Sequence, residues 1–461
     1  MRLAPLLAAS ALVLAAPSAA QPSAPETADP DARMLRRLYD AALVDSPAWG
    51  QLATLVEKFP GRLAGTPAYD AAAAWSLEQL KQLGCDRTEL QPVTVPFWER
   101  GAPEKAAFTS RGATVPLAVL ALGGSIATPT GGLTAPIVEV ASLEAVKTAD
   151  VQGKIVFFNG AFDKRFISPG QAYGAAVGQR SRGAVEAAKR GAVAVVVRSM
   201  THRLDDHPHT GAMTYLPDGP KIPAAALSTV AAEKLSAALR ADPALTLSLE
   251  LHSQTLPDRP SANVIGEIRG SEFPEKIILV GGHLDAWDIT PGAHDDGTGC
   301  IQSIEVLRLL QAVGYRPRHT IRCVLYSNEE NGLRGALEYT RVVAEKKEDH
   351  VLALETDSGG YQPRGFNLGN PAGDAHLKAA RWKPLFEPYG IYVFQAGRGG
   401  ADVGPLLRYG YTVAGLMPDS QRYFDIHHTR VDDLSAVNRR EFELGSAAMA
   451  ALVYLVDKHG L

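Results

Sequence analysis

The stretch from residue 275 to 360 leaves few folds open, because strand-like and helix-like segments alternate in it and each strand ends in charge. "EKIILVGGH" (275–283) and "HTIRCVLYSNEE" (319–330) are apolar runs of strand length, and "HVLALETDSGG" (350–360) begins as a third. Between the first two lies "GCIQSIEVLRLLQAVG" (299–314), whose apolar residues recur at helical spacing. Unbroken apolar strands alternating with helices predict an α/β domain built on a twisted, mainly parallel sheet flanked by helices. Sheets of this kind bind ligands in the crevice at the carboxyl ends of their strands. His283, Glu329 and Asp357 each close one of the three strands, so their neighbourhoods are expected to meet in a single crevice.

What they would do there follows from their chemistry. Residues 281–299, "GGHLDAWDITPGAHDDGTG", hold two His and four Asp among five Gly. Turn chemistry explains such a loop in isolation, but carboxylates that converge raise one another's pKa unless a cation compensates them. His283, Asp295, Glu330, Asp357 and His428 offer mixed nitrogen and oxygen donors, which suit Zn²⁺, with Mn²⁺ or Co²⁺ as alternatives. Two such ions about 3.5–4 Å apart can share one carboxylate and acidify a water. Glu329 and Glu330 are adjacent, so their side chains point different ways: one can ligate metal while the other acts as general base. Asp285, two residues after His283, is placed to fix the tautomer of that imidazole.

The rest of the chain frames this region. Arg2 precedes the apolar run "LAPLLAASALVLAAPSAA", with Ser18 and Ala20 placed for cleavage, so residues 1–20 read as a signal peptide and the protein as secreted or periplasmic. "QPSAPETADPDAR" (21–33) reads as a flexible lead-in. Two helices around a loop are expected over 46–84, with Thr66 as N-cap, Pro67 in the first turn and Gly84 at the stop. Residues 112–252 change character: short strand-like runs such as "APIVEV", "GKIVFFNG" and "AVAVVVRS" are separated by Gly, Pro and Asp. This block reads as an inserted domain, leaving 34–111 and 253–461 to form the α/β unit. With 46% hydrophobic residues the chain can bury more than one core, and a net charge of -4 gives no case for binding nucleic acid or an anionic membrane. The three cysteines stand at no metal-ligand spacing, and Cys323 inside an apolar strand reads as a buried thiol.

Taken in order, "HLDAWD…PGAHDDGTG…SNEENGLRG…LETDSGG…IHHT" resembles the co-catalytic zinc exopeptidase family of secreted aminopeptidases and glutamate carboxypeptidases, its plasma glutamate carboxypeptidase branch most. The likeness runs from about residue 45 to the C-terminus and includes "PGRLAGTPAYDAA" and "GRGGADVGPL" (397–406). The resemblance implies two Zn²⁺ per chain and a protease-associated-like inserted domain. It implies that His283 and Asp357 ligate one zinc, Glu330 and His428 the other, and that Asp295 bridges them. Glu329 would be the general base and Asp285 the carboxylate orienting His283. His294 and His427 depart from the common pattern; His427 competes with His428 as ligand, and Glu355 with Asp357.

The resemblance also implies short peptide substrates, chiefly dipeptides with free termini. Asp402 or Glu355 would then hold the amine, and Arg398 or the His-rich 202–209 loop, His209 included, the carboxylate. Rival readings keep the fold: an aminopeptidase on longer peptides, a glutaminyl-cyclase-like enzyme with one zinc, or a non-catalytic binding protein of the receptor type. A single-zinc H-E-x-x-H protease and a G-x-S-x-G hydrolase are disfavoured, since neither motif is present. The sequence leaves a homodimer open.

Overall fold

The computed structural model describes residues 29–461. The signal peptide expected over 1–20 lies outside the described residues. The lead-in expected over 21–33 ends earlier than that, because Pro30–Val44 is already helical. Asp29 caps this helix by accepting from Asp31 N–H, and Pro30 supplies a pre-set φ in the first turn. Asp31 also accepts from Lys458 Nζ (2.5 Å) and Tyr454 Oη (2.6 Å), which ties the helix start to the C-terminal helix. The helices Ala48–Lys58 and Pro67–Gln82 form as expected, with Thr66 accepting from Tyr69 N–H at the second one's cap.

The first sheet has eight strands in the order Arg87–Glu99, Gln254–Ile268, His319–Tyr326, Phe273–His283, Asp349–Glu355, Val413–Pro418, Pro363–Gly369 and Val393–Ala396. Its centre is parallel: Phe273–His283 pairs in parallel with His319–Tyr326 and Asp349–Glu355, and the latter with Val413–Pro418. Antiparallel pairings join Arg87–Glu99 to Gln254–Ile268, the latter to His319–Tyr326, and Val413–Pro418 to Pro363–Gly369, while the edge strand Val393–Ala396 is parallel to its neighbour. All eight residues of His319–Tyr326 are buried, as a strand covered on both faces requires. One face packs on the helices Thr298–Ala312 and Arg439–His459 through residues such as Ile301, Leu307, Phe442 and Leu452. The other face packs Tyr326, Leu279 and Ala353 on Tyr339 and Val343 of the Arg334–Lys346 helix.

Register puts the polar residues at one edge. His283 stands opposite Tyr326, and Gly281 opposite Glu355. The Glu329–Glu330 doublet and Asp357 therefore leave their strands level with His283.

A second eight-stranded sheet lies between Lys105 and Glu250. Its first strand in the chain, Lys105–Ser110, pairs with Thr246–Glu250, so this sheet begins before residue 112, where the sequence pattern placed the boundary. It has apolar layers on both faces, one around Phe157 and Val196, the other around Val156 and Val195. The first of these layers includes Trp287, which belongs in sequence to the loop after His283. The indole is fully buried against Gly123, where an added Cβ would stand 1.9 Å from a ring carbon. Only glycine leaves room for it. Beside it the buried guanidinium of Arg100 forks onto both oxygens of Asp288 at 2.7 Å and reaches Glu104 Oε1 (2.8 Å) and the Ala121 carbonyl (2.7 Å). The two sheets are thus joined through the same loop that carries the candidate site.

Cys85, Cys300 and Cys323 are unpaired thiols, and Cys323 is buried in its strand. No helix among the described residues is long and apolar enough to cross a membrane.

Candidate metal centre

Three loops leaving the carboxyl edge of the first sheet build the site, and a fourth segment, 425–432, closes it. His283 is the last residue of its strand and has no exposed surface. Its Nδ1 lies 3.0 Å from the backbone carbonyl of Asp285, so Nδ1 carries a proton and Nε2 is the nitrogen turned to the carboxylates. That Nε2 is 3.2 Å from Asp295 Oδ1 and 3.5 Å from Asp357 Oδ1. On the far side of Asp295, Oδ2 lies 3.3 Å from His428 Nε2, which in turn lies 3.1 Å from Glu330 Oε2. Asp295 therefore stands between two imidazoles, each accompanied by one further carboxylate.

The donor atoms are bare. His283 Nε2, Asp295 Oδ2, Glu330 Oε1 and Asp357 Oδ1 are buried and lack a hydrogen-bond partner among the described residues. Buried polar atoms are nearly always paired, so four orphans in one cluster form a donor set that a cation would satisfy. The electrostatics agree. Burial pushes Glu330 up to about 7, with Asp295 adding to the rise and His428 opposing it. Burial likewise raises Glu329 and Asp357, whose carboxylate neighbours reinforce the shift against His283. Burial pulls the His283 and His428 imidazoles down, but the surrounding carboxylates outweigh it and hold both well above their usual value. Mixed imidazole and carboxylate donors fit zinc.

Proximity alone adds Asp296 to His283 and Asp357, and His427 to Asp295 and His428, as groups able to hold an ion. Hydrogen bonding sets Asp296 apart. Asp296 spends one oxygen on His283 N–H (3.1 Å) and the other on Gly299 N–H (3.0 Å), pinning its loop between strand and helix. His427 stacks on His428 with ring centroids 3.5 Å apart, and its Nε2 is 3.5 Å from Asp295 Oδ2. His294 turns away: its Nε2 lies 3.1 Å from the Ala436 carbonyl, and its Nδ1 accepts from Gly360 N–H.

Asp285 does orient His283, but through its carbonyl. Its carboxylate is 3.9 Å from Nδ1 and instead accepts the N–H groups of Glu329 (3.1 Å) and Glu330 (3.3 Å). It sets the doublet rather than the imidazole. Two residues outside the expected set hold the 284–295 loop. Arg62, fully buried, donates to the carbonyls of Leu284 (2.6 Å), Pro291 (2.5 Å) and Gly292 (2.7 Å). Asp432 accepts from His294 N–H (2.7 Å) and Asp295 N–H (3.1 Å).

The donors open onto a cleft of about 360 Å³, a small-ligand size, lined by Glu329, Glu330, Asp357, His427 and His428 and by Tyr173 and Arg180 from the second sheet's helices. Arg180 is the one lysine or arginine among the lining residues, and its Nε has no hydrogen-bond partner among the described residues. Of the expected substrate contacts, Arg398 is exposed and away from this lining. His209 is buried and not among the lining residues. Asp402 is also buried with both oxygens unpaired, while Glu355 lines a smaller adjoining cavity with Asp357 and Ser358. Glu355 accepts from the Asp402 and Val403 N–H groups through Oε2 and leaves Oε1 bare. The cation in this cleft lining comes from helix Gly178–Ala188, whose sequence carries no signal beyond a helical pattern.

Comparison with known proteins turns this arrangement into a class of enzyme: the protein is a zinc metallo-exopeptidase. The chain belongs to peptidase family M28, whose profile matches residues 263–453. Carboxypeptidase Q of Bos taurus is 34% identical over 412 residues, spanning 89% of this chain and 85% of that protein. A peptidase M28 precursor from Shewanella amazonensis SB2B, known from a crystal structure, superposes with a TM-score of 0.88 at 35% identity, covering 93% of this chain and 96% of that one. BSAP, a zinc aminopeptidase from Bacillus subtilis, shares the fold with a TM-score of 0.64 at 21% identity, covering 90% of this chain and 96% of that one.

Proposed function

We propose that this enzyme hydrolyses short peptides, dipeptides with both termini free above all, at a centre of two zinc ions. His283 and Asp357 hold one ion, His428 and Glu330 the other, and Asp295 lies between them. The observation that carries this reading is that three buried, unpartnered donor atoms, of His283, Asp357 and Glu330, flank the two sides of the Asp295 carboxylate, whose own Oδ2 is unpartnered too. When bound, the metal pair supplies Lewis-acid polarisation of the scissile carbonyl and lowers the pKa of a water. Glu329, in the cleft wall, takes the proton of the attacking water and delivers it to the leaving amine. Asp285 keeps Glu329 and Glu330 turned to their separate tasks by gripping both of their N–H groups.

Substrate selection rests on charge. Arg180 faces the cleft and takes the peptide carboxylate, the task expected of Arg398 or His209. The bare Oε1 of Glu355, next to Asp357, takes the amine. The second sheet, similar in position to a protease-associated domain, walls the cleft and limits substrate length. Export rests on the apolar stretch after Arg2.

Metal analysis with paired variants tests the reading. Two zinc ions per chain are expected, with Glu329→Gln inactive at full metal content and Glu330→Gln short of one ion. One ion per wild-type chain, or exchanged phenotypes for the two variants, would overturn it. Unblocked dipeptides are expected to react more than about tenfold faster than N-acetylated or C-amidated ones, the loss of one charge-assisted contact. Equal rates on all three would remove the dipeptidase reading, and preference for long peptides would favour an aminopeptidase.

A further inference from the structure

The second sheet does more than wall the cleft, because one of its segments grips a ligand residue directly. His428 has φ 61, a backbone conformation outside helix and strand. Its carbonyl accepts from Thr210 N–H at 3.2 Å, and its Nδ1 lies 3.2 Å from the Thr210 carbonyl. A carbonyl can only accept, so Nδ1 carries the proton, and the Nε2 lone pair is aimed at Asp295 and Glu330. One residue therefore holds both the main chain and the ring of His428.

Thr210 is itself immobilised. It is fully buried, and its Oγ1 donates to the Ala121 carbonyl at 2.8 Å, the same carbonyl that Arg100 binds. Gly123 N–H donates to the Gly211 carbonyl at 3.0 Å, and Met213 N–H to the Gly123 carbonyl at 2.9 Å. Gly211 has φ +135, and a Cβ there would come within 2.7 Å of His428 Nδ1 and 2.4 Å of Arg180 Nη1. Glycine is what lets this backbone reach the ring. By contrast, His283 takes its Nδ1 partner from Asp285, within its own loop.

We propose that Thr210 and Gly211 are positioning residues of the metal centre: they set the tautomer and pose of His428, so one of the two metal positions is built jointly by both sheets. The inference rests on the two-metal reading above. It predicts an asymmetry that a merely structural role would not produce: disturbing Gly211 weakens the His428 position and spares the His283 position.

Cobalt titration of the metal-free full chain, followed by d–d absorption and calorimetry, reads this directly. Wild type is expected to bind two Co²⁺. Gly211→Ala is expected to bind one with wild-type affinity and the other at least tenfold more weakly, with unchanged far-UV circular dichroism. A folded Gly211→Ala protein that binds two Co²⁺ with wild-type affinities overturns the inference and leaves the two-metal reading intact. Wild type that binds no Co²⁺ overturns both. If Gly211→Ala does not fold, ¹⁵N-histidine spectra of the zinc-loaded wild type decide, with His428 assigned by its loss in a His428→Gln sample. An Nδ1–H tautomer supports the inference, and an Nε2–H tautomer overturns it.

Discussion

Replacing Asp285 by Asn changes one oxygen to a nitrogen at a residue with no exposed surface. In the native protein its two carboxylate oxygens accept from the N–H groups of Glu329 and Glu330 at 3.1 and 3.3 Å. An amide presents one oxygen, so one of those N–H groups meets an NH₂ and loses its acceptor. A buried donor left without a partner costs about 1–3 kcal/mol, and urea unfolding of the metal-free variant is expected to show a loss of that size. The displaced N–H carries the glutamate doublet with it, and a catalytic group misplaced by about 1 Å costs roughly 10²-fold. The kcat on a chromogenic dipeptide substrate should therefore fall about 10²-fold. Metal content should stay at the wild-type value, because the Nδ1 partner of His283 is the backbone carbonyl, which the substitution leaves in place. Selective loss of one metal with little change in stability would refute this reasoning, since it would show that the carboxylate and not the carbonyl holds the imidazole.

Three further outcomes follow from the same geometry. Arg180→Gln should raise KM about tenfold for peptides with a free carboxylate and leave KM for C-amidated peptides unchanged, roughly one charge-assisted contact; steady-state kinetics on the two substrate sets would show otherwise if Arg180 were only structural. Arg62→Met strips three buried carbonyls of their donor and should cost at least about 3 kcal/mol in urea unfolding, with a loss under about 1 kcal/mol speaking against it. In metal-free protein, burial pushes Glu330 and Glu355 up to about 7 and Asp432 up to about 8. Groups raised in the folded state stabilise it fully below their unfolded pKa and lose that contribution as pH rises through the folded value. Stability of the metal-free protein should accordingly fall from about pH 4, where the unfolded carboxyls ionise, to about pH 8, the highest of the folded values, and zinc should flatten that fall; a rise with pH in metal-free urea melts would contradict the sign.

The sheet and the edge that bears the site were legible because a strand buried on both faces must be an apolar run, and the charge that follows it has one place to go. His283, Asp295, Glu330, Asp357 and His428 come together for that reason, although their burial and bare donor atoms could be found only in three dimensions. What stayed hidden were partnerships across long separations between ordinary residues. Arg62 looks like any arginine in a glycine-rich turn until its guanidinium is seen spread over three carbonyls more than two hundred positions away. Asp432 reads as one half of an acidic turn, yet it aligns two N–H groups of the 293–295 loop. The role of Asp285 was read from the wrong atom, since a sequence shows which side chains are near but not that a backbone carbonyl reaches the ring first. Arg398 drew attention as a cation inside a quoted motif, whereas Arg180 enters the cleft from a helix of unremarkable pattern.

The burial of Trp287 in the second sheet's apolar layer bears on how such an enzyme can be rearranged, in the laboratory or by descent. Its indole and the Asp288 carboxylate are encoded in the loop after His283, yet the cavity they fill is encoded by Gly123 and Arg100, far earlier in the chain. A recombination that exchanged residues 105–250 as a cassette would cut between the key and its lock. The recipient loop would then present a large aromatic side chain to a socket shaped for another residue. Chimaeras that alter the cleft by swapping this segment should therefore carry Trp287 along with it, while Asp288 stays with Arg100 outside the segment, so the heritable unit of specificity is discontinuous in the gene.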